Sequence, residues 1–144
     1  MEKIELKNLD AFVKSVISGL CGREDRATII ALAGDLGAGK TTFVQVLAKE
    51  LGVVETVQSP TYVLMKSYPL SHDHFTTLIH IDAYRLNSVQ EFSALKPETF
   101  LSNPKALVCI EWPERVEGAL PKPDIVLKFS SDGASPGERY ITTT

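Results

Sequence analysis

Gly34, Gly39, Lys40 and Thr41 stand in the order G-x-x-x-x-G-K-S/T, within the run Gly34-Asp35-Leu36-Gly37-Ala38-Gly39-Lys40-Thr41. These residue types at this spacing suit a triphosphate. A dense anion is best met by a row of backbone N–H groups and the positive end of a helix. Gly37 and Gly39 let the backbone curl close to phosphate with no Cβ in the way. Lys40 is then expected to reach the β- and γ-phosphates, and the Thr41 hydroxyl to ligate Mg²⁺. The chain lacks the N/T-K-x-D sequence that reads guanine in nucleotide-binding proteins of this kind, which favours ATP.

Phosphoryl chemistry also needs a carboxylate that holds the metal or orients the attacking water. Such a group usually ends a hydrophobic strand, where the carboxyl edge of a sheet faces the nucleotide. Two positions qualify: Leu78-Ile79-His80-Ile81 leads to Asp82, and Leu107-Val108-Cys109-Ile110 leads to Glu111. In the preferred assignment Glu111 holds Mg²⁺, directly or through water, and Asp82 orients the water. The residues alone permit the reverse.

The surrounding elements must place these groups. Thr28 to Ala33 is a continuous β-branched and apolar run, the pattern of a strand buried on both faces. Thr41 to Leu51 is helical by period (Phe43, Val44, Leu47, Ala48, Leu51) and closed by Gly52. The phosphate loop therefore has a strand before it and a helix after it. Ile4 and Leu6 suggest a short first strand. Asn8 or Asp10 can cap a helix with Phe12, Val13, Val16, Ile17 and Leu20 on one face, ending in the breaker region Gly19 to Gly22. Further strands are expected at Tyr62 to Tyr68, Thr77 to Ile81 and Ala106 to Ile110. Ser88 to Asn103 should be helical in two pieces, broken before Pro97. Ile125 to Phe129 and Arg139 to Thr143 should form a final hairpin. The expected fold is a single α/β domain over residues 1–144, a P-loop NTPase-like three-layer sandwich with a mixed, partly antiparallel central sheet.

With 144 residues, 44% of them hydrophobic and 23% charged, the chain can build a real core. A net charge of −3 excludes the dense basic surface that non-specific nucleic-acid binding requires. Cys21 and Cys109 lack CxxC spacing and read as reduced thiols. The first residues, Met1 to Glu5, alternate charge with no apolar stretch, so a soluble, cytoplasmic protein without membrane attachment is expected. His72, Asp73 and His74 lie in a polar turn and read as a solvated hairpin tip rather than a metal site shared with His80. Tyr84, Arg85 and Trp112 are compatible with either nucleotide or partner contact, or with ordinary surface and core packing.

The phosphate loop combines with Ser59-Pro60-Thr61-Tyr62, His80-Ile81-Asp82-Ala83-Tyr84-Arg85-Leu86 and Glu111-Trp112-Pro113-Glu114. In this order and spacing the chain resembles the bacterial TsaE (YjeE) family, from the first helix to about Pro123. The resemblance implies a P-loop α/β fold and slow ATP hydrolysis. It also implies work with TsaD and TsaB, which transfer a threonylcarbamoyl group to the adenosine beside the anticodon of tRNA, so that tRNA would be met through that complex. Carried over by position, Asp35, Leu36, Gly37, Ala38, Gly39, Lys40, Thr41 and Thr42 would bind the nucleotide, and Thr41 and Glu111 the metal. Lys40, Asp82 and Glu111 would act in catalysis, with Thr61 as a sensor of the γ-phosphate or water. Trp112 would lie beside the site. The chain departs from the family pattern after Leu86. It has Gln90-Glu91 in place of a Glu-Glu pair, and Leu95-Lys96-Pro97 in place of a Leu-Gly or Met-Gly turn. The missing glycine bears on the helix junction there and on any partner contact it makes.

Two other functions fit a phosphate loop. A small-molecule kinase would close an Arg-rich lid over its acceptor, whereas only Arg85, Arg115 and Arg139 follow the loop here, with no long insertion. A nucleotide-gated binding module would use ATP occupancy to set partner affinity, with hydrolysis incidental.

Overall fold

The computed structural model describes residues 2–35, 37–55, 57, 64–131, 133 and 138–144, without the side chains of residues 2 and 6. A seven-stranded sheet carries the fold: β1 (Glu2–Glu5), β2 (Thr28–Gly34), β3 (Met65–Pro69), β4 (Thr77–Asp82), β5 (Ala106–Glu111), β6 (Ile125–Ser130) and β7 (Glu138–Thr143). Their order across the sheet is β1-β7-β6-β2-β5-β4-β3. The four central strands are parallel, and β1, β7 and β3 add antiparallel pairs at the two sides. The mixed α/β sheet expected from sequence is therefore present.

Alternation along the strands builds two cores. Ile30, Leu32, Leu78, Leu107, Cys109 and Leu127 face one side, where helices α1 (Leu9–Ser18) and α2 (Lys40–Glu50) bury Val13, Phe43, Val44 and Leu47 against them. Ile29, Ala31, Ile79, Ile81, Val108 and Ile110 face the other side. They meet Phe92 of α3 (Val89–Ser93), Phe100 of α4 (Glu98–Leu101), and Val116 of the 3-10 turn Pro113–Val116. Each such aliphatic or aromatic side chain contributes about 1.5–3 kcal/mol by leaving water. The parity has a consequence for the site. His80, Asp82 and Glu111 continue the series of Leu78 and of Leu107 and Cys109, so all three are on the α2 side.

Several local expectations shift. Asn8 occupies the cap position of α1 but makes no side-chain cap bond, and Asp10 instead accepts from the N–H of Ala11 at 2.9 Å. Leu6 belongs to a 3-10 turn, not to the first strand. The strand expected from Tyr62 begins at Met65, residues 62 and 63 lying outside the described residues. Gly52, at φ +83°, closes α2 as expected, its N–H bonding Lys49 O at 3.2 Å. Ser88 caps α3 by accepting from Glu91 N. Lys96 takes the left-handed conformation at φ +53° between α3 and α4. The backbone turn that suits a glycine is thus kept with a lysine in it. Among the described residues no helix is long and apolar enough to cross a membrane.

Candidate nucleotide site

The loop after β2 sits where β2 has β5 on one side and β6 on the other, the position at which open α/β sheets bind ligands. Gly34 leaves the strand at φ +137°, and a Cβ there would stand 2.4 Å from the carbonyl oxygen of Phe129 on β6. Glycine is required because the loop begins in contact with the neighbouring backbone. Gly39, at φ +102°, occupies the N-cap position of α2, and its carbonyl accepts from Phe43 N at 3.0 Å. Ala38 is buried, whereas Asp35, Gly37 and Thr42 are exposed. The Asp35 carbonyl accepts from Ala38 N at 3.2 Å, which tightens the turn. Leu36 lies outside the described residues, as do Thr61 and the rest of the Ser59 to Tyr62 segment.

Lys40 is only 4% exposed. Its ammonium donates to the carbonyl of Gly34 and to that of Asp35 at 3.2 Å, and it lies 3.9 Å from the ring centre of Trp112. Burial pushes this amine below the ordinary lysine value, and the charges of Glu111, Glu114, Asp82 and Asp35 offset that only in part. A buried cation in this condition favours a neighbouring anion.

The parallel register sets Asp82 opposite Glu111 across β4 and β5, and Leu32 opposite Glu111 across β2 and β5. Both strand-terminal acids therefore reach the edge that carries the loop. The Thr41 hydroxyl, in the first turn of α2, lies 3.0 Å and 3.2 Å from the two carboxylate oxygens of Glu111. Glu111 also meets His80, whose Nε2 is 2.6 Å from Oε2, the oxygen nearer Thr41. Asp82 accepts from the N–H of Tyr84 through Oδ1 at 3.1 Å, a turn bond that fixes its carboxylate at the strand end. A hydroxyl and a carboxylate are hard oxygen donors, and Mg²⁺ is commonly bound by one or two protein groups together with water and phosphate oxygens. Thr41 and Glu111 fit that donor set.

Trp112 follows Glu111 with φ +61°, its N–H bonding Leu32 O at 3.2 Å. Its ring packs on Tyr84 with centroids 5.0 Å apart, and the Arg115 guanidinium lies 5.7 Å from the Tyr84 ring. The expectation that Trp112 lies beside the loop is met through Lys40. His72 serves its own turn, Nδ1 accepting from His74 N at 3.0 Å, whereas the His74 ring reaches a distant segment, Nε2 lying 2.8 Å from Pro104 O; both rings are half-buried where a solvated tip was expected.

Residues beyond the sequence-based set also reach the loop. Arg139, from β7, extends Nη2 to 3.5 Å from Gly37 O, and its Cγ is 3.7 Å from where a Cβ on Gly39 would stand. Its Nε is buried without a hydrogen-bond partner among the described residues. No spacing rule could have found it, because β7 reaches the loop only through its pairing with β6. Glu114 contributes charge at Lys40; its place two residues beyond Trp112 was the available signal. A separate groove of about 720 Å³ between α1 and the ends of β1 and β7 is lined by Lys3, Asn8, Phe12 and Thr143 and includes no phosphate-loop residue. The chemistry-bearing side chains converge at the loop, which identifies it as the candidate site.

Comparison with known proteins agrees. The family model described as threonylcarbamoyl adenosine biosynthesis protein TsaE matches residues 6–141. The chain is 37% identical over 118 residues to the tRNA threonylcarbamoyladenosine biosynthesis protein TsaE of Treponema pallidum, covering 82% of each chain. It is 37% identical over 118 residues to the protein of that name from Bacillus subtilis, covering 81% of this chain and 68% of that one. To the one from Synechocystis it is 41% identical over 92 residues, which span 62% of this chain and 56% of the relative's length. The crystal structure of Bacillus subtilis YdiB superposes with a TM-score of 0.66 over 99% of this chain and 84% of that one at 24% identity, a likeness of fold. With the family model spanning nearly the whole sequence, the chain belongs to the TsaE family of threonylcarbamoyl adenosine biosynthesis proteins.

Proposed function

We propose that this chain binds Mg-ATP in the loop Gly34 to Thr41 and hydrolyses it slowly. In this reading it supports TsaD and TsaB in the threonylcarbamoyl modification of tRNA. The observation that carries the proposal is the 3.0 Å contact between the Thr41 hydroxyl and Glu111, beside the buried ammonium of Lys40. Hydroxyl and cation from the first turn of α2 and a carboxylate from the end of β5 converge where the phosphates of a nucleotide would meet a helix N-terminus. Lys40 exchanges its carbonyl contacts for phosphate oxygens. Thr41 and Glu111 hold the metal side, and Asp82, opposite Glu111 in the register, orients the attacking water. Mg²⁺, when bound, neutralises charge developing on the phosphate oxygens. Family membership supports the place in threonylcarbamoyladenosine formation.

The test is reconstituted tRNA modification with TsaD, TsaB and a supply of threonylcarbamoyl-adenylate, counting modified adenosines per complex over time. Wild type should sustain repeated turnover, and Lys40→Ala should behave like omission of the chain. Equal yields in all three reactions would sink the proposed role. An Asp82→Ala variant that binds ATP and still sustains turnover would favour a nucleotide-gated binding module instead.

A further inference from the structure

We propose that His80 is a positioning residue for the Glu111 carboxylate, holding Oε2 so that the carboxylate stays turned with both oxygens toward Thr41 and the metal side. This rests on the Mg-ATP reading above.

The imidazole is fully buried, at 0% exposure. It stands in β4 between Ile79 and Ile81, opposite Cys109 of β5, on the face where Leu78 and Cys109 are core residues. An apolar side chain would fill that place at lower cost, because a buried polar ring is tolerated only when its hydrogen bonds are made. His80 makes one such bond. Nε2 lies 2.6 Å from Glu111 Oε2, while Nδ1 has no hydrogen-bond partner among the described residues. The direction of that bond is set by chemistry. An ionised carboxylate only accepts, so the imidazole proton is on Nε2 and the ring donates. Glu111 is then held by two partners: Thr41 Oγ1 lies 3.2 Å from Oε1 and 3.0 Å from Oε2, and His80 engages Oε2 as well. Rotation of the carboxylate would break the His80 bond. Outer groups that orient a metal-binding carboxylate typically change metal affinity 10- to 100-fold, on the order given by comparable sites.

His80→Leu keeps the volume but removes the donor, while His80→Gln keeps an N–H donor near the position of Nε2. ATP affinity is measured by calorimetry for each, with Mg²⁺ and with EDTA. For His80→Leu we expect about a tenfold loss confined to the Mg²⁺ condition, with His80→Gln recovering part of it. Equal losses with and without Mg²⁺, or no loss, would overturn the proposal. Imidazole ¹⁵N NMR on the wild-type chain should find Nε2 protonated, and this readout remains even if a variant fails to fold. A bare Nε2 would also overturn the proposal. Failure of the wild type to bind Mg-ATP at all is a different result, which removes the parent reading.

Discussion

The ammonium of Lys40 lies 3.9 Å from the ring centre of Trp112, a cation over an aromatic face next to the phosphate loop. The contact is partly enclosed, since Lys40 is buried and Trp112 is half-buried against Tyr84, so it contributes about 1–2 kcal/mol. Trp112 also holds φ +61°, a conformation that costs a non-glycine residue about 1 kcal/mol or more. Because Trp112 is the only tryptophan, all indole emission comes from this ring, whose surroundings include Lys40 and Tyr84. Adding Mg-ATP should change that emission as the ammonium turns to phosphate, and Lys40→Met should change it with no nucleotide added. An unchanged spectrum at a nucleotide concentration shown by calorimetry to saturate would refute this arrangement.

Glu111→Gln should weaken Mg²⁺-dependent binding and hydrolysis while sparing metal-free nucleotide binding. The amide retains the shape and can accept from Thr41 or His80, but it carries no charge for metal or water. ATP affinity in EDTA should stay within a few-fold of wild type, affinity with Mg²⁺ should fall about tenfold or more, and hydrolysis should fall on the order of 10²-fold or more. Single-turnover phosphate release measures this, and wild-type hydrolysis in the variant would remove Glu111 from the chemistry.

Gly34→Ala should damage the fold and not only the loop. A Cβ placed 2.4 Å from Phe129 O at φ +137° forces β2 and β6 apart or the loop out of register. The expected loss is about 2–4 kcal/mol, read as a lower urea midpoint. Gly37, where a Cβ meets nothing within 4 Å, should lose far less to alanine, about 1 kcal/mol from its positive φ.

Lys96→Gly should stabilise the protein. Lys96 is exposed and left-handed at φ +53°, and its carbonyl accepts from both Thr99 N–H at 3.0 Å and Thr99 Oγ1 at 2.7 Å. These bonds do not need the lysine side chain. Glycine adopts the conformation freely but gains disorder in the unfolded chain, leaving a net gain of about 0.5–1 kcal/mol. A lower thermal midpoint in the variant would show that the lysine side chain itself holds the junction.

Asp124 should make stability depend on acid. Burial pushes its carboxyl up, but the N–H of Ile29 and the guanidinium groups of Arg23 and Arg26 outweigh that and hold it below the ordinary aspartate value. A carboxyl depressed in the fold contributes stability that is complete above its unfolded pKa, about 3.9. That contribution disappears as the pH falls through the lower, folded value. The bond to Ile29 N is 2.8 Å and ties the start of β6 to β2. Asp124→Asn should cost about 1–3 kcal/mol near neutral pH and flatten the acid limb of the urea midpoint. A variant with the wild-type acid profile would rule out this group as the cause.

The phosphate loop, its flanking strand and helix, and both strand-terminal acids are legible in the chain because each rests on local rules. Glycine and lysine spacing, an apolar run that ends in a carboxylate, and a 3.6-residue period all act within a dozen residues. Parity along a strand even implies which face His80 shares with Leu78. What no local rule carries is strand order. Thr41 meets Glu111 only because β5 pairs beside β2, and His80 meets Glu111 only because β4 pairs beside β5. Arg139 reaches Gly37 only because the last strand lies against β6, and β1 pairs with β7, at the opposite end of the sequence. The amino-acid sequence by itself determined the loop, its helix and the kinds of groups that could serve it. The tertiary structure decided which of them touch, because pairing between distant strands depends on how the whole sheet buries its two faces, and no single segment holds that information.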